Sequence, residues 1–234
     1  MELKEIYQIA SDIQETCIGT YDIFRNHIFT DIDYYTIEGL VPLWIRDAGN
    51  SAESGITKEI FERFVKENNN ILTHKFLYYY DCDMLVASLQ DRFSIINSLI
   101  ENFYKKIPLK SAYEMADFDS ATMSISPMDA DIFAYLNSIF IFLGSSFDMI
   151  TKIACELNKI ATIDYSIYPK LKSNNILFGD KNSIDERLKE NTIFSHPTIV
   201  KKIESIRNRI VHNGSFDFNQ IIYTGYLNNS SFKI

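Results

Sequence analysis

The sequence predicts a predominantly α-helical fold on three observations: an apolar stripe at helical spacing over 84–107, a longer one over 126–157, and a late helix whose start and stop are both signalled. With 46% hydrophobic residues, the 234-residue chain has enough apolar material for a substantial core.

From the N-terminus, 2–29 and 57–69 carry moderate helical periodicity, and "GLVPLWIRDAGNSAESG" separates them with Pro, Gly and Ser. "ILTHKFLYYY" and, near the end of the chain, "QIIYTGYL" are rich in β-branched and aromatic residues and are candidates for short strands. Over 84–107, Leu85, Leu89, Phe93, Ile96, Leu99, Ile100, Phe103 and Ile107 recur at spacings of three and four, and Pro108 is expected to end that helix.

The next helix opens at "SPMDADIF", where Ser126 suits an N-cap, Pro127 the first turn, and Asp129 and Asp131 the positive end of the helix dipole. Ile132, Leu136, Ile139, Phe140, Leu143, Phe147, Ile150, Ala154 and Leu157 keep one broad stripe, so this helix should be the spine of the fold. The stretch 159–195, with Pro169, Asn-rich turns and Gly179, reads as a connection with one short helix at 183–190. "SHPTIVKKIESIRNRIVHNG" then starts the last helix, with Ser195 or His196 as N-cap and Pro197 in the first turn, and stops it at Asn213 and Gly214. The expected organisation is a helical N-terminal extension over 1–80 and a helical bundle over 81–234 with a small β element, the two able to form one continuous domain.

Composition narrows the function. A net charge of −8 opposes non-specific attraction to a phosphate backbone, so any nucleic-acid contact must be local. Cys17, Cys82 and Cys155 are scattered and odd in number, which excludes a disulfide framework or a metal knuckle built from cysteines. His27, His74 and His196 share no ligand spacing with Cys, Asp or Glu, and neither a metal nor another cofactor is expected. The apolar run "SIFIFLGSSF" falls short of the roughly 20 residues a membrane span needs, and the N-terminus lacks a signal-peptide pattern, so a cytoplasmic protein is expected.

The chemistry concentrates in "KKIESIRNRIVHNG". Ile199, Ile203, Ile206 and Ile210 should face the core, while Lys201, Ser205, Asn208 and His212 form a polar stripe. Arg207 falls about 80° from the centre of the apolar side, where its stem packs while its guanidinium turns outward and reaches back toward His212. RNA cleavage without a metal needs a group that deprotonates the 2′-hydroxyl, one that protonates the leaving 5′-oxygen, and a cation for the phosphorane between them. Histidine suits the proton transfers near neutral pH, and the helix C-terminus favours the imidazolium. Arginine suits the phosphate oxygens, and Asn208 adds a neutral hydrogen bond. One histidine per chain supplies half of this chemistry, which predicts a homodimer whose two motif helices share a cleft.

The R-N-x-x-x-H spacing of Arg207, Asn208 and His212, at the end of a late helix in a helical chain, resembles the signature of the HEPN superfamily. The resemblance covers the motif and, more loosely, the helix layout from about 84 to 214, leaving 1–80 outside. It implies a HEPN-like helical bundle, commonly dimeric, acting as a metal-independent endoribonuclease in toxin, phage-defence or RNA-processing systems. On that resemblance Arg207, Asn208 and His212 are the catalytic residues. Lys201, Ser205, Arg209 and Asn213 accompany them as candidates for substrate contact. RNA is then the substrate, with an antitoxin or defence-complex protein as a further partner. The alternative is a non-catalytic HEPN-like module for dimerisation or nucleotide binding in such a complex.

Structural readings stand beside these. His212 suits a residue capping the last carbonyls of its helix, and Arg207 a surface ion pair with Glu204 or with a residue on another helix. Asp148 and Lys152 suit an i,i+4 pair, with Asp148 an orienting partner for His212 if the fold brings them together. "FLYYYDCD" offers rings for base stacking but reads more readily as core packing.

Overall fold

The computed structural model describes residues 3–29, 58–114, 127–184, 190, 192–214, 224–227 and 230–233. Five α-helices carry these residues: α1 (Leu3–Ile28), α2 (Lys58–Glu67), α3 (Ile71–Glu114), α4 (Pro127–Lys159) and α5 (Thr198–Asn213). Among the described residues between α4 and α5, short 3-10 turns lie at Ile160–Thr162, Phe178–Ser183 and Ile193–Ser195. A two-stranded antiparallel hairpin follows, β1 (Thr224–Leu227) and β2 (Ser230–Lys233), in the register Thr224 with Lys233 to Leu227 with Ser230. The fold is all-α apart from this hairpin, and β1 falls inside the "QIIYTGYL" strand candidate.

Two expectations at α3 are corrected. "ILTHKFLYYY" is helical from Ile71, because Asn70 caps it: its side-chain oxygen accepts the Leu72 N–H at 2.9 Å and its carbonyl the His74 N–H at 3.0 Å. Once Phe76, Leu77, Tyr78 and Tyr79 are buried, packing outweighs the β preference of aromatic residues. Nor does Pro108 end the helix, which continues to Glu114. A proline deletes one N–H donor and crowds one turn, a cost the flanking turns of this 44-residue helix absorb. The division expected at residue 80 lies inside α3. The N-cap expected at Ser126 and most of the short helix expected at 183–190 lie outside the described residues.

The chain forms two compact units, to both of which α3 and α4 contribute. The first comprises Met1–Asp91 and Phe147–Ser195. Its core joins Phe24 and Ile28 of α1 to Phe76 and Tyr78 of α3 and Ile153 of α4. Instead of a slack connection, the stretch after α4 is fastened at several points. Tyr168 packs edge-on against Phe61 at 5.7 Å, and Phe178 sits between Phe147 and Phe194. Buried polar groups add to this: Glu156 accepts the Tyr78 hydroxyl and the Ser173 N–H, each at 2.8 Å, and Asp81 accepts the Tyr168 hydroxyl. The Nδ1 of His74 lies 3.0 Å from the Tyr165 carbonyl, where it donates. Burial pushes the Asp81 carboxyl up to about 7, the Tyr168 bond opposing and the Glu156 charge adding to the rise. The aromatic run 76–82 is therefore core, and no stacking platform. All three cysteines, Cys17, Cys82 and Cys155, are free, buried and in this unit.

The second unit comprises Arg92–Ser146 and His196–Ile234. Ile96 of α3, Ile132, Phe133 and Ile139 of α4, and Val200 and Ile210 of α5 form its interior. Lys106 bridges α3 to Asp131 of α4 at 2.9 Å, and Arg92 donates from Nη1 to the Ser145 hydroxyl.

By length and composition, Asp129–Thr162 is apolar enough to cross a membrane. Within it the buried Ser146 and Thr151 donate to the Phe142 and Phe147 carbonyls one turn back, and the buried Glu156 accepts the Tyr78 hydroxyl.

Candidate nucleic-acid site on the last helix

α5 begins one residue later than the spacing suggests. Pro197 occupies the N-cap position in extended conformation, so Ser195 and His196 are not the cap. His196 instead adopts φ 54°, and its Nε2 meets Glu204 at 2.6 Å. That bond engages Glu204, the acid considered as a partner for Arg207, with His196. At the other end Gly214 takes the left-handed conformation, φ 79°, and returns its N–H to the Ile210 carbonyl at 2.9 Å. Only a residue without Cβ adopts this geometry at little cost, and the helix stops where Asn213 and Gly214 predict.

The buried face is rotated from the expected one. Val200 and Ile210 are buried and Ile203 and Ile206 half-buried, whereas Ile199 is 63% exposed. Ile199 lies in the first turn, and Val200, about 100° around the helix, takes the interior position instead. The rotation carries Arg207 inward: Val200, Ile203, Arg207 and Ile210, spaced three, four and three apart, form one face.

Arg207 reaches α4 at Gly144, which is buried. A Cβ placed on Gly144 would stand 3.0 Å from both Cγ and Cδ of Arg207 and 3.3 Å from its Nε. The arginine stem thus crosses α4 where that helix has no side chain. A glycine mid-helix costs about 1 kcal/mol relative to alanine, and here the missing side chain makes room for the arginine. The expectation that Arg207 reaches back toward His212 is corrected accordingly. Around α5, Arg207 points about 140° away from His212 and about 100° from Asn208.

Asn208 and His212 are both exposed and one turn apart on the same side, in line with exposed Lys201 and Ser205. Arg209 and Asn213 are exposed as well, further around the helix. A single chain therefore unites Asn208 and His212 on an open surface and holds Arg207 at the seam between α5 and α4. Asp148, weighed as a partner for Lys152, accepts the Phe178 N–H at 2.8 Å in the first unit. Among the described residues no three His, Cys, Asp or Glu side chains gather where they could hold a metal ion.

Two residues of this site escape a reading of the motif alone. Gly144 carries a signal, since a lone glycine inside a strongly apolar helix marks close approach of another chain segment. Arg92, which joins α4 at the next residue, Ser145, carries none. Compared with models of known protein families, with curated proteins and with solved structures, the chain matches none of them.

Proposed function

We propose that the protein is a metal-independent endoribonuclease of HEPN type, acting as a homodimer in the cytoplasm. The observation that supports this most is the division of labour on α5. Asn208 and His212 stand open to solvent on one stripe, while the Arg207 stem is seated on Gly144 at the seam between α5 and α4. A two-fold axis along the exposed side of α5 supplies the second histidine that the chemistry needs. One imidazole takes the proton of the 2′-hydroxyl as its oxygen attacks phosphorus. The other gives a proton to the departing 5′-oxygen. The guanidinium of Arg207 and the amide of Asn208 stabilise the charge on the phosphate oxygens between these steps. The bond made is 2′-O–P and the bond broken P–5′-O, so the products are a 2′,3′-cyclic phosphate and a 5′-hydroxyl. The acidic surface elsewhere suits an effector confined to a narrow class of RNA, in a toxin–antitoxin or antiviral-defence setting with a protein partner to restrain it.

The test is cleavage of a defined RNA in EDTA by the wild type, His212→Ala and Arg207→Ala. Cleavage by the wild type, lowered roughly a hundredfold or more in each variant, is the expected outcome. Equal cleavage by all three removes the assignment. A folded dimer without turnover on any RNA favours the non-catalytic module.

A further inference from the structure

Within the first unit, α2, the first turn of α3 and the loop 166–170 surround a cavity of about 430 Å³, a size that suits a small organic ligand. Part of its lining is apolar. Phe61 and Tyr168, both buried, meet edge-on at 5.7 Å, and Val65 follows Phe61 one turn along α2. Ile167, which also lines the cavity, is 75% exposed, more than any other large apolar side chain among the described residues. An apolar ligand in the cavity would cover it, as the protein itself does not. The rest of the lining offers donors that a ligand can reach. Lys66, Asn69 and Ser166 are exposed, and among the described residues their side chains have no hydrogen-bond or ionic partner. Lys170 is already engaged, its Nζ lying 3.4 Å from Glu62. Of the lysines and carboxylates in the lining, Lys66 and Lys170 against Glu62 leave one positive charge, which matches a monoanion.

We propose that this cavity binds a small aromatic carboxylate, its ring laid against Phe61, Val65, Tyr168 and Ile167 and its carboxylate held by Lys66 with Asn69 and Ser166. The edge-on pair of Phe61 and Tyr168 presents aromatic surface on which a planar ring packs well. The lysine gives a charge-assisted hydrogen bond, and the amide and hydroxyl add neutral ones to the remaining lone pairs of the carboxylate. A dianion fits less well, because the Glu62 carboxylate stands in the same lining. All of these residues belong to the first unit, and the inference does not depend on whether α5 cleaves RNA.

The full chain is titrated with 4-fluorobenzoate and with its neutral counterpart 4-fluorobenzamide, binding being read from the fluorine NMR signal of each probe. The acid is expected to bind with a Kd on the order of 1 mM, as befits a single ring. The amide should bind roughly fivefold more weakly, since it lacks the charge that Lys66 meets. Lys66→Gln should cost the acid about that same factor and leave the amide unchanged. Ile167→Ser should weaken both probes several-fold by removing apolar cover. Both substituted side chains are exposed, so neither variant puts the core at risk. No binding of the acid up to about 10 mM, equal affinity for acid and amide, or wild-type affinity for the acid in either variant overturns the proposal.

Discussion

Gly144 of α4 lies directly beneath the Arg207 stem, so closely that a methyl group there would require the arginine to give by a few tenths of an ångström. Helix propensity alone predicts that Gly144→Ala stabilises the protein by about 1 kcal/mol. The contact predicts otherwise, because the new Cβ would meet Cγ and Cδ at 3.0 Å and the arginine must shift. Gly144→Ala should therefore gain less than that in urea denaturation and should lower RNA cleavage, though less than Arg207→Ala does. A gain near 1 kcal/mol with undiminished cleavage shows that the seat of the arginine is immaterial.

Asp81 makes the first unit sensitive to pH. Its carboxyl titrates near 7 in the folded protein against an ordinary value of 3.8, so the folded state binds the proton more tightly than the unfolded one. Its contribution to stability is full below pH 4, declines as pH rises through that window and levels off above 7. Denaturation midpoints from pH 4 to 8 should follow this slope. Asp81→Asn, whose amide oxygen still accepts the Tyr168 hydroxyl, should flatten it.

Glu156 holds two donors at once, the Tyr78 hydroxyl and the Ser173 N–H. Glu156→Ala strands both in the interior and should cost about 2–5 kcal/mol, read from urea denaturation. Glu156→Gln keeps one acceptor and should cost less.

At the end of α5, Gly214→Ala meets no steric obstacle, since nothing lies within 4 Å of the added Cβ. The backbone at φ 79° alone carries the penalty, expected at about 1–2 kcal/mol in the same assay.

The helices most legible in the sequence are those whose signals are local. The apolar spacing of α4 and the Asn213–Gly214 stop of α5 each arise within a turn or two of chain, and the structure follows them. The strand candidate at "ILTHKFLYYY" fails because its residue types report burial as well as β preference; Asn70, the small cap before it, decides between them. Pro108 fails as a terminator because a long helix with satisfied turns on both sides tolerates it. In the site, Asn208 and His212 are legible as an exposed pair, since one helical turn sets their relation. The direction of Arg207 is not, because it depends on a gap in α4 more than sixty residues earlier in the chain. The part of Arg92 is less legible still, as it shares no pattern with the motif.

The three sulfhydryls, all interior and all within the first unit, make that unit a molecular stopwatch. Burial pushes the thiols of Cys17 and Cys82 up, which leaves them unreactive until the unit opens. The rate at which a small electrophile labels the native protein then measures how often that half of the chain breathes, with no signal from the half that carries His212. A change in that rate when RNA is added would show that an event in the second unit is felt in the first.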